Sequence, residues 1–265
     1  MKALQNAGIE TLTLDVLSEE SIAASVIQVR TLLKGRLDIL VNNAGMAYYA
    51  PAAEMDVAEA KKLFDLNVWS CISVTQAFLP LLLQSKSGGM VVNNSSGSSV
   101  ISTPFMSLYG ASKAALSMLT RGLHTELAAF GIRAIDLKPG STTSNIYKNS
   151  ALIHDYPIKE NSLYFAAKEW LDKFFSGDVL MAGNVPQEAW AKATVAKILQ
   201  RKTPLTIWGG AYQWQIWLGS YLPYSWQDWL GKDIARIPHV ERCIKDYGKD
   251  KAVVDRFGPE AIVEN

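Results

Sequence analysis

Charge of one sign, cysteine and histidine are all scarce here, and each scarcity removes a class of function. The 265 residues carry 26 Lys and Arg against 25 Asp and Glu, a net charge of +1. No basic excess points to nucleic acid, whose phosphates are met by a positive surface. The two cysteines, Cys71 and Cys243, lie far apart and form neither a disulfide framework nor the spacing of a metal site. His124, His154 and His239 are scattered and read as packing or solvated residues, so no metal is expected. The opening residues Met1 to Gly8 hold no apolar core of the kind a signal peptide needs. Free thiols without a leader fit a cytoplasmic protein.

Charge is also absent locally. No charged side chain occurs from Thr203 to Gln227, and five of the 8 tryptophans fall between Trp208 and Trp229. The run is long enough to span a bilayer. Pro223, the Gly209-Gly210 pair, Gln213 and Gln215 argue against a clean spanning helix. Two readings remain for residues 211–230: peripheral contact with a membrane such as the ER or a lipid droplet, or a flap packed around a greasy substrate.

Elsewhere apolar runs alternate with helical patterns, the mark of a parallel sheet covered by helices. Strands are expected at Thr11–Asp15, Leu37–Asn42, Met90–Asn94, Arg133–Leu137 and Leu205–Trp208. Helices are expected at Ser18–Leu33, twice within Val57–Gln84, at Ser107–Phe130 with Gly131 closing it, and at Gln187–Gln200. Residues 141–185 read as irregular with short helices, and the tail beyond Gly231 as polar and loosely patterned. The chain divides into a Rossmann-like α/β domain over 1–210 and an aromatic-rich extension over 211–265.

The chemistry concentrates in Tyr109-Gly110-Ala111-Ser112-Lys113. Tyr109 and Lys113 are four apart and share a helix face. A tyrosine with a pKa near ~10 is a poor proton-transfer group at neutral pH. An ammonium one turn away favours its phenolate, and the pair can then exchange a proton with an alkoxide. By itself this pattern also occurs on ordinary surface helices. Its surroundings make it specific: Asn93-Asn94-Ser95-Ser96 ends one expected strand, Val41-Asn42-Asn43-Ala44-Gly45 another, and Pro139-Gly140 a third, with Asn67 on the helix between the first two. In open α/β sheets, ligands bind outside the carboxyl ends of strands.

From Thr11 to Trp208 this constellation resembles the short-chain dehydrogenase/reductase family. The resemblance implies a doubly wound parallel sheet, NADP(H) as cofactor, and a catalytic set of Asn67, Ser96, Tyr109 and Lys113. It makes Tyr109 the general acid or base and gives Ser96 a hydrogen bond to the substrate carbonyl. It gives Lys113 the nicotinamide ribose and Asn67 a water linking Lys113 to solvent. It also implies an adenine contact at Asp15-Val16, a cofactor-side loop at Asn43-Ala44-Gly45, and Pro139-Gly140 facing the nicotinamide. Ser144 stands where the family usually places a threonine. The Pro139-to-Ser144 loop and the Trp-rich tail are similar, more loosely, to fungal reductases of the 1-acyldihydroxyacetone-phosphate type. That likeness implies an apolar ketone or alcohol as substrate. Small residues at Ala111, Ala114 and Ala115, together with the resemblance, imply a homo-oligomer built on the long helix.

One family feature is not in these 265 residues: the opening strand, the Thr-Gly-x-x-x-Gly-x-Gly turn, its helix and the second strand. Gly8 stands alone, and Met1–Ala7 reads as the end of a later helix. That turn seats a pyrophosphate on a helix N-terminus, so this chain should bind a dinucleotide weakly. In the family's sheet order two strands would separate Thr11–Asp15 from Leu37–Asn42, a gap of roughly 14 Å with exposed edges. Three expectations follow: a shortened form of an ordinary reductase; a short protein whose sheet has closed up, with Thr11–Asp15 paired directly to Leu37–Asn42 and acid-base chemistry such as isomerisation, dehydration or cyclisation kept without a cofactor; or an inactive, binding-only remnant.

Overall fold

Four of the five expected strands form. The computed structural model describes residues 2–146, 158–177 and 183–262; His154 lies outside them. β1 (Ile39–Asn42), β2 (Met90–Asn94), β3 (Arg133–Pro139) and β4 (Thr206–Gly209) pair in that order, all parallel. Parallel neighbours need crossovers, and helices supply them. After α1 (Lys2–Asn6) and α2 (Glu19–Leu32), α3 (Val57–Phe64) and α4 (Ser70–Leu82) lead from β1 to β2. α5 (Ser107–Leu127) leads from β2 to β3. α6 (Lys168–Phe175) and α7 (Gln187–Ile198) precede β4.

Local chemistry explains these limits. Ser18 caps α2 by accepting from the Ser21 N–H, with Glu19 and Glu20 in the first turn. Asp56 caps α3 through the Ala58 N–H. After α5 a single 3₁₀ turn ends at Gly131, whose φ of 71° is the left-handed cap its position in the sequence predicts.

The strands alternate their faces. Leu40, Val91 and Ala134 pack with Leu82, Leu123 and Leu127 from α4 and α5. Met90, Val92, Ile135, Leu137 and Ile207 face Trp190 and Ile198 of α7. Each fully buried Leu or Ile contributes about 1.5–3 kcal/mol. The second face is covered unevenly: Val41 lies beside Val92 in register yet is 51% exposed.

Two expectations need correction. Thr11–Asp15 is not a strand and does not pair with β1, so the sheet has not closed up. An alternating pattern becomes a strand only where another backbone takes up its hydrogen bonds. Here the segment runs irregularly along α2, with Thr13 O accepting from Ser25 Oγ at 3.4 Å. The tail beyond Gly231 is also more ordered than its polarity suggests. After α8 (Gln213–Gly219) and α9 (Tyr224–Ile234) in the Trp-rich run, it forms α10 (Ile237–Tyr247) and α11 (Lys249–Phe257). Ile237, Val240 and Ile244 recur at helical spacing on α10. They join Tyr49, Phe105, Phe174 and Phe175 in one aromatic core cluster.

Candidate active site

Chain direction brings the site together, because every parallel strand ends on the same edge of the sheet. β1 runs into Asn43-Ala44-Gly45, β2 into Ser95 and Ser96, and β3 into Pro139 and Gly140. α5 then lays Tyr109, Ser112 and Lys113 across the β2 end, all three buried. Lys113 Nζ donates to the Asn94 carbonyl oxygen at 2.9 Å and lies 5.9 Å from the centre of the Tyr109 ring. Burial pushes the Lys113 pKa down to about 8, opposed by the Cys71 and Asp136 side chains.

Asn67 occupies a five-residue π-helical turn, Asp65–Trp69, between α3 and α4. Such turns recur at functional sites because they re-aim side chains. Its amide is fully engaged. Nδ2 donates to Met46 O at 2.9 Å and to Ser112 Oγ at 3.0 Å, and Oδ1 accepts from Met46 N. The side chain therefore joins the β1 loop to α5, a joining role that its place in the sequence does not reveal.

Ser96 accepts from the Ser98 N–H at 3.1 Å through its Oγ. With the oxygen acting as acceptor there, the hydroxyl proton is available to a ligand oxygen. Gly45 sits where only glycine fits easily, since a Cβ there would stand 3.0 Å from Asn67 Oδ1 and 3.3 Å from Lys113 Nζ. Gly140 is more constrained still: a Cβ would meet the Ala211 carbonyl oxygen at 2.0 Å. This places the chain after β4 directly over the β3 end, with Gly140 N donating to Gly209 O at 2.7 Å.

The remaining expected residues are peripheral to that cluster. Asn43 accepts from Asn94 Nδ2 at 2.8 Å, and Ala44 beside it is exposed. Asp15 turns its carboxylate to the Leu17 N–H of its own loop, and Val16 packs against the α2–α4 cluster. Ser144 is exposed and shares with Thr143, Pro186 and Gln187 a cavity of about 370 Å³.

The sequence reading missed the polar ladder under the site. Asn42 Nδ2 donates to Asn93 Oδ1 at 2.8 Å and to Thr75 Oγ1 at 3.0 Å, and Asn93 Nδ2 reaches Thr120 Oγ1 at 2.9 Å. It also missed Asp136 and Lys138, whose signal was two opposite charges on one face of a largely buried strand.

Known proteins resemble this chain. The family model described as short chain dehydrogenase matches residues 1–154. A short-chain dehydrogenase/reductase of Pestalotiopsis microspora is 38% identical over 92% of this chain and 84% of its own. The chain belongs to the short-chain dehydrogenase/reductase family. An NADPH-dependent 1-acyldihydroxyacetone phosphate reductase of Schizosaccharomyces pombe is 31% identical over 90% of this chain and 82% of its own. A crystal structure of a short-chain dehydrogenase from Streptomyces avermitilis superposes with a TM-score of 0.67 at 29% identity, covering 91% of this chain and 85% of that one. This short-chain dehydrogenase is thus an oxidoreductase on a Rossmann-like α/β fold.

The residues present suit one half of a nicotinamide dinucleotide. The space beside Gly45 that a Cβ would fill, next to an ammonium with two protons uncommitted among the described residues, fits a ribose carrying hydroxyl acceptors. For the pyrophosphate half, the 265 residues contain no glycine turn of the family's type.

Proposed function

We propose that this protein reduces the ketone, or oxidises the alcohol, of an apolar substrate with NADP(H), the substrate being lipid-like or a secondary metabolite. The observation that carries this reading is the convergence of Ser96, Tyr109 and Lys113 at the β2 end, braced by Asn67. The cofactor, when bound, supplies or accepts the hydride, and the chain supplies everything else. In the reduction direction the Ser96 hydroxyl donates to the substrate carbonyl oxygen. The Tyr109 hydroxyl gives its proton to that oxygen as it becomes an alkoxide. Lys113, held at 5.9 Å from the ring by Asn94, stabilises the charge left on tyrosine. Asn67 holds the β1 loop against α5, so that Gly45 faces the ammonium. The adenine end would lie toward Asp15 and Val16, and Pro139, Gly140 and Ser144 would line the nicotinamide side.

NADP rather than NAD, and a lipid-like substrate, are supported by the named activity of the Schizosaccharomyces pombe relative, 31% identical. The test is ketone reduction followed by NADPH absorbance in the wild type and in Tyr109→Phe. Loss of the hydroxyl should cost about 10²- to 10⁴-fold in turnover. Equal turnover in both overturns the assignment.

The same cluster of Ser96, Tyr109 and Lys113, braced by Asn67, supports a second reading, acid-base chemistry with no dinucleotide. Substrate conversion with no nucleotide added would select it.

The aromatic tail supports contact with a membrane surface. Among the described residues no helix is long and apolar enough to cross a membrane. Instead Trp214, Trp226 and Trp229 on α8 and α9 are 70%, 61% and 63% exposed. Exposed Trp and Tyr suit a lipid headgroup region, where an apolar ring and a wet N–H or O–H are both satisfied. The small residues on one face of α5, Ala111 exposed and Ala114 and Ala115 half-buried, support packing against a second copy of the chain.

A further inference from the structure

Asp136 and Lys138 sit two apart on β3, on the face that meets α5 and the loop after β2. Both are nearly inaccessible, and their charges meet at 2.8 Å. Each is bonded onward. Asp136 Oδ1 accepts from Ser95 Oγ at 2.5 Å, and Oδ2 from Ser117 Oγ at 2.6 Å. Lys138 Nζ donates to Ser99 Oγ at 2.6 Å and to Ser117 Oγ at 2.7 Å, so that with the carboxylate all three of its protons are used. Ser99 Oγ in turn donates to the Ser96 carbonyl oxygen at 2.6 Å.

The pattern has a geometric consequence. Ser96 is gripped on both sides, through Ser95 by the carboxylate and through its own carbonyl by the Ser99 hydroxyl. Ser117 lies one turn beyond Lys113 on α5 and accepts from Lys138 while donating to Asp136. One buried ion pair therefore ties the Ser96 loop to the helix that carries Tyr109 and Lys113. Stability alone does not account for such a pair, because well-packed apolar residues of similar volume often serve as well or better.

We propose that Asp136 and Lys138 are positioning residues that hold the Ser96 hydroxyl in register with Tyr109 and Lys113. The proposal rests on the acid-base reading of Tyr109, and its tests separate the two. Neither side chain need touch substrate. A loosened pair would let the Ser96 loop move relative to α5, and a displacement of about 1 Å can cost on the order of 100-fold in rate.

The pair also sets the charge that Lys113 meets. The groups around Lys113 are Cys71 from α4, Asp136 from β3 and Tyr109 from its own helix. Removing Lys138 leaves the Asp136 carboxylate uncompensated, which favours the Lys113 ammonium; neutralising Asp136 does the reverse.

The experiment uses the full chain with Lys138→Met, Asp136→Asn and the double variant. The double variant removes both charges together and so avoids leaving a lone buried ion. Expected for the double variant are faster amide exchange at residues 96–99, unchanged exchange in β2 and β3, and turnover of a ketone with saturating NADPH reduced about 10- to 100-fold with KM little altered. The basic limb of the rate profile should move up in Lys138→Met and down in Asp136→Asn. A purely structural role would not move that limb in opposite directions. A double variant with wild-type exchange at 96–99 and wild-type turnover overturns the proposal. If the single variants do not fold, the double variant decides. Failure of the acid-base reading shows separately, as a Tyr109→Phe enzyme that keeps its turnover while the exchange result stands.

Discussion

Lys113 Nζ donates to the main-chain carbonyl of Asn94 at 2.9 Å, which anchors the ammonium to the strand end two residues before Ser96. Holding that charge in a buried place is costly, and burial brings the Lys113 pKa from 10.5 down to about 8. Between those values the unfolded chain binds a proton that the folded chain does not, so stability rises with pH across the window. Below pH 8 the full cost is present, on the order of 3 kcal/mol. Relative to Lys113→Met, the wild type should gain about that much between pH 8 and 10.5. Urea midpoints of both proteins at the two pH values measure it. Burial raises the Cys71 pKa, which works in the opposite direction above pH 9, so a Cys71→Ala background isolates the lysine. A stability difference that does not vary with pH would remove the buried ammonium from this account.

Gly140 offers a test of the backbone on the proposed nicotinamide side. A Cβ at this position would meet a main-chain oxygen at 2.0 Å, and a carbonyl in a β-bridge cannot swing aside as a flexible side chain would. Gly140→Ala should cost about 3 kcal/mol, the upper range for overpacking. Thermal or urea unfolding checks it; a loss within ~0.5 kcal/mol, as for a neutral surface change, would mean that the Ala211 crossing is looser than described.

The aromatic tail yields a prediction on binding. Replacing Trp214, Trp226 and Trp229 with Ser together should move the protein from floating to non-floating fractions with phosphatidylcholine vesicles. These rings are exposed, so folding stability should change little. A wild-type chain that never floats would favour the alternative in which α8 and α9 cover substrate. α8 already packs on the Ser96 loop, where Ile216 Cδ1 would stand 2.9 Å from a Cβ at Gly97.

What could be read from the sequence depended on whether a signal was local. Tyr109 and Lys113 are one helical turn apart, and Gly131 caps its helix through its own backbone freedom, so both could be placed from spacing alone. The alternation Thr-Leu-Thr-Leu-Asp at 11–15 was equally clear, yet it forms no strand, because pairing is decided by a neighbour far away in sequence. α10 escaped notice because its apolar stripe is only Ile237, Val240 and Ile244 among charged residues, and its burial depends on Phe174 and Phe105. The Asn67–Ser112 contact spans 45 residues and no local pattern announces it. Asp136 and Lys138 are two apart on β3, but their onward bonds to Ser95, Ser99 and Ser117 reach other elements and show in no spacing.

The last prediction concerns the cofactor. Hydride transfer requires the nicotinamide to be held against the substrate carbon, and the dinucleotide is gripped at several points along its length. In the proposed reading the 265 residues supply the ribose end through Lys113 and the space beside Gly45. Asp15 and Asn43 are exposed and offer contacts to the remainder. They do not reproduce a row of backbone N–H donors at a helix N-terminus, which holds pyrophosphate through both hydrogen bonds and the helix dipole. A protein made of these 265 residues alone should therefore bind NADPH with a Kd on the order of millimolar, about 4 kcal/mol weaker than micromolar binding. Adding a strand, a glycine turn, a helix and a second strand before Met1 should restore micromolar affinity, because among the described residues no strand pairs with the outer edge of β1, and Val41 is a half-exposed face for such a segment to cover. Calorimetry or nicotinamide fluorescence reads both numbers. Micromolar binding by the 265-residue protein would show that the pyrophosphate is held by groups other than a glycine turn. Weak binding in both proteins would mean that the added segment does not dock on β1.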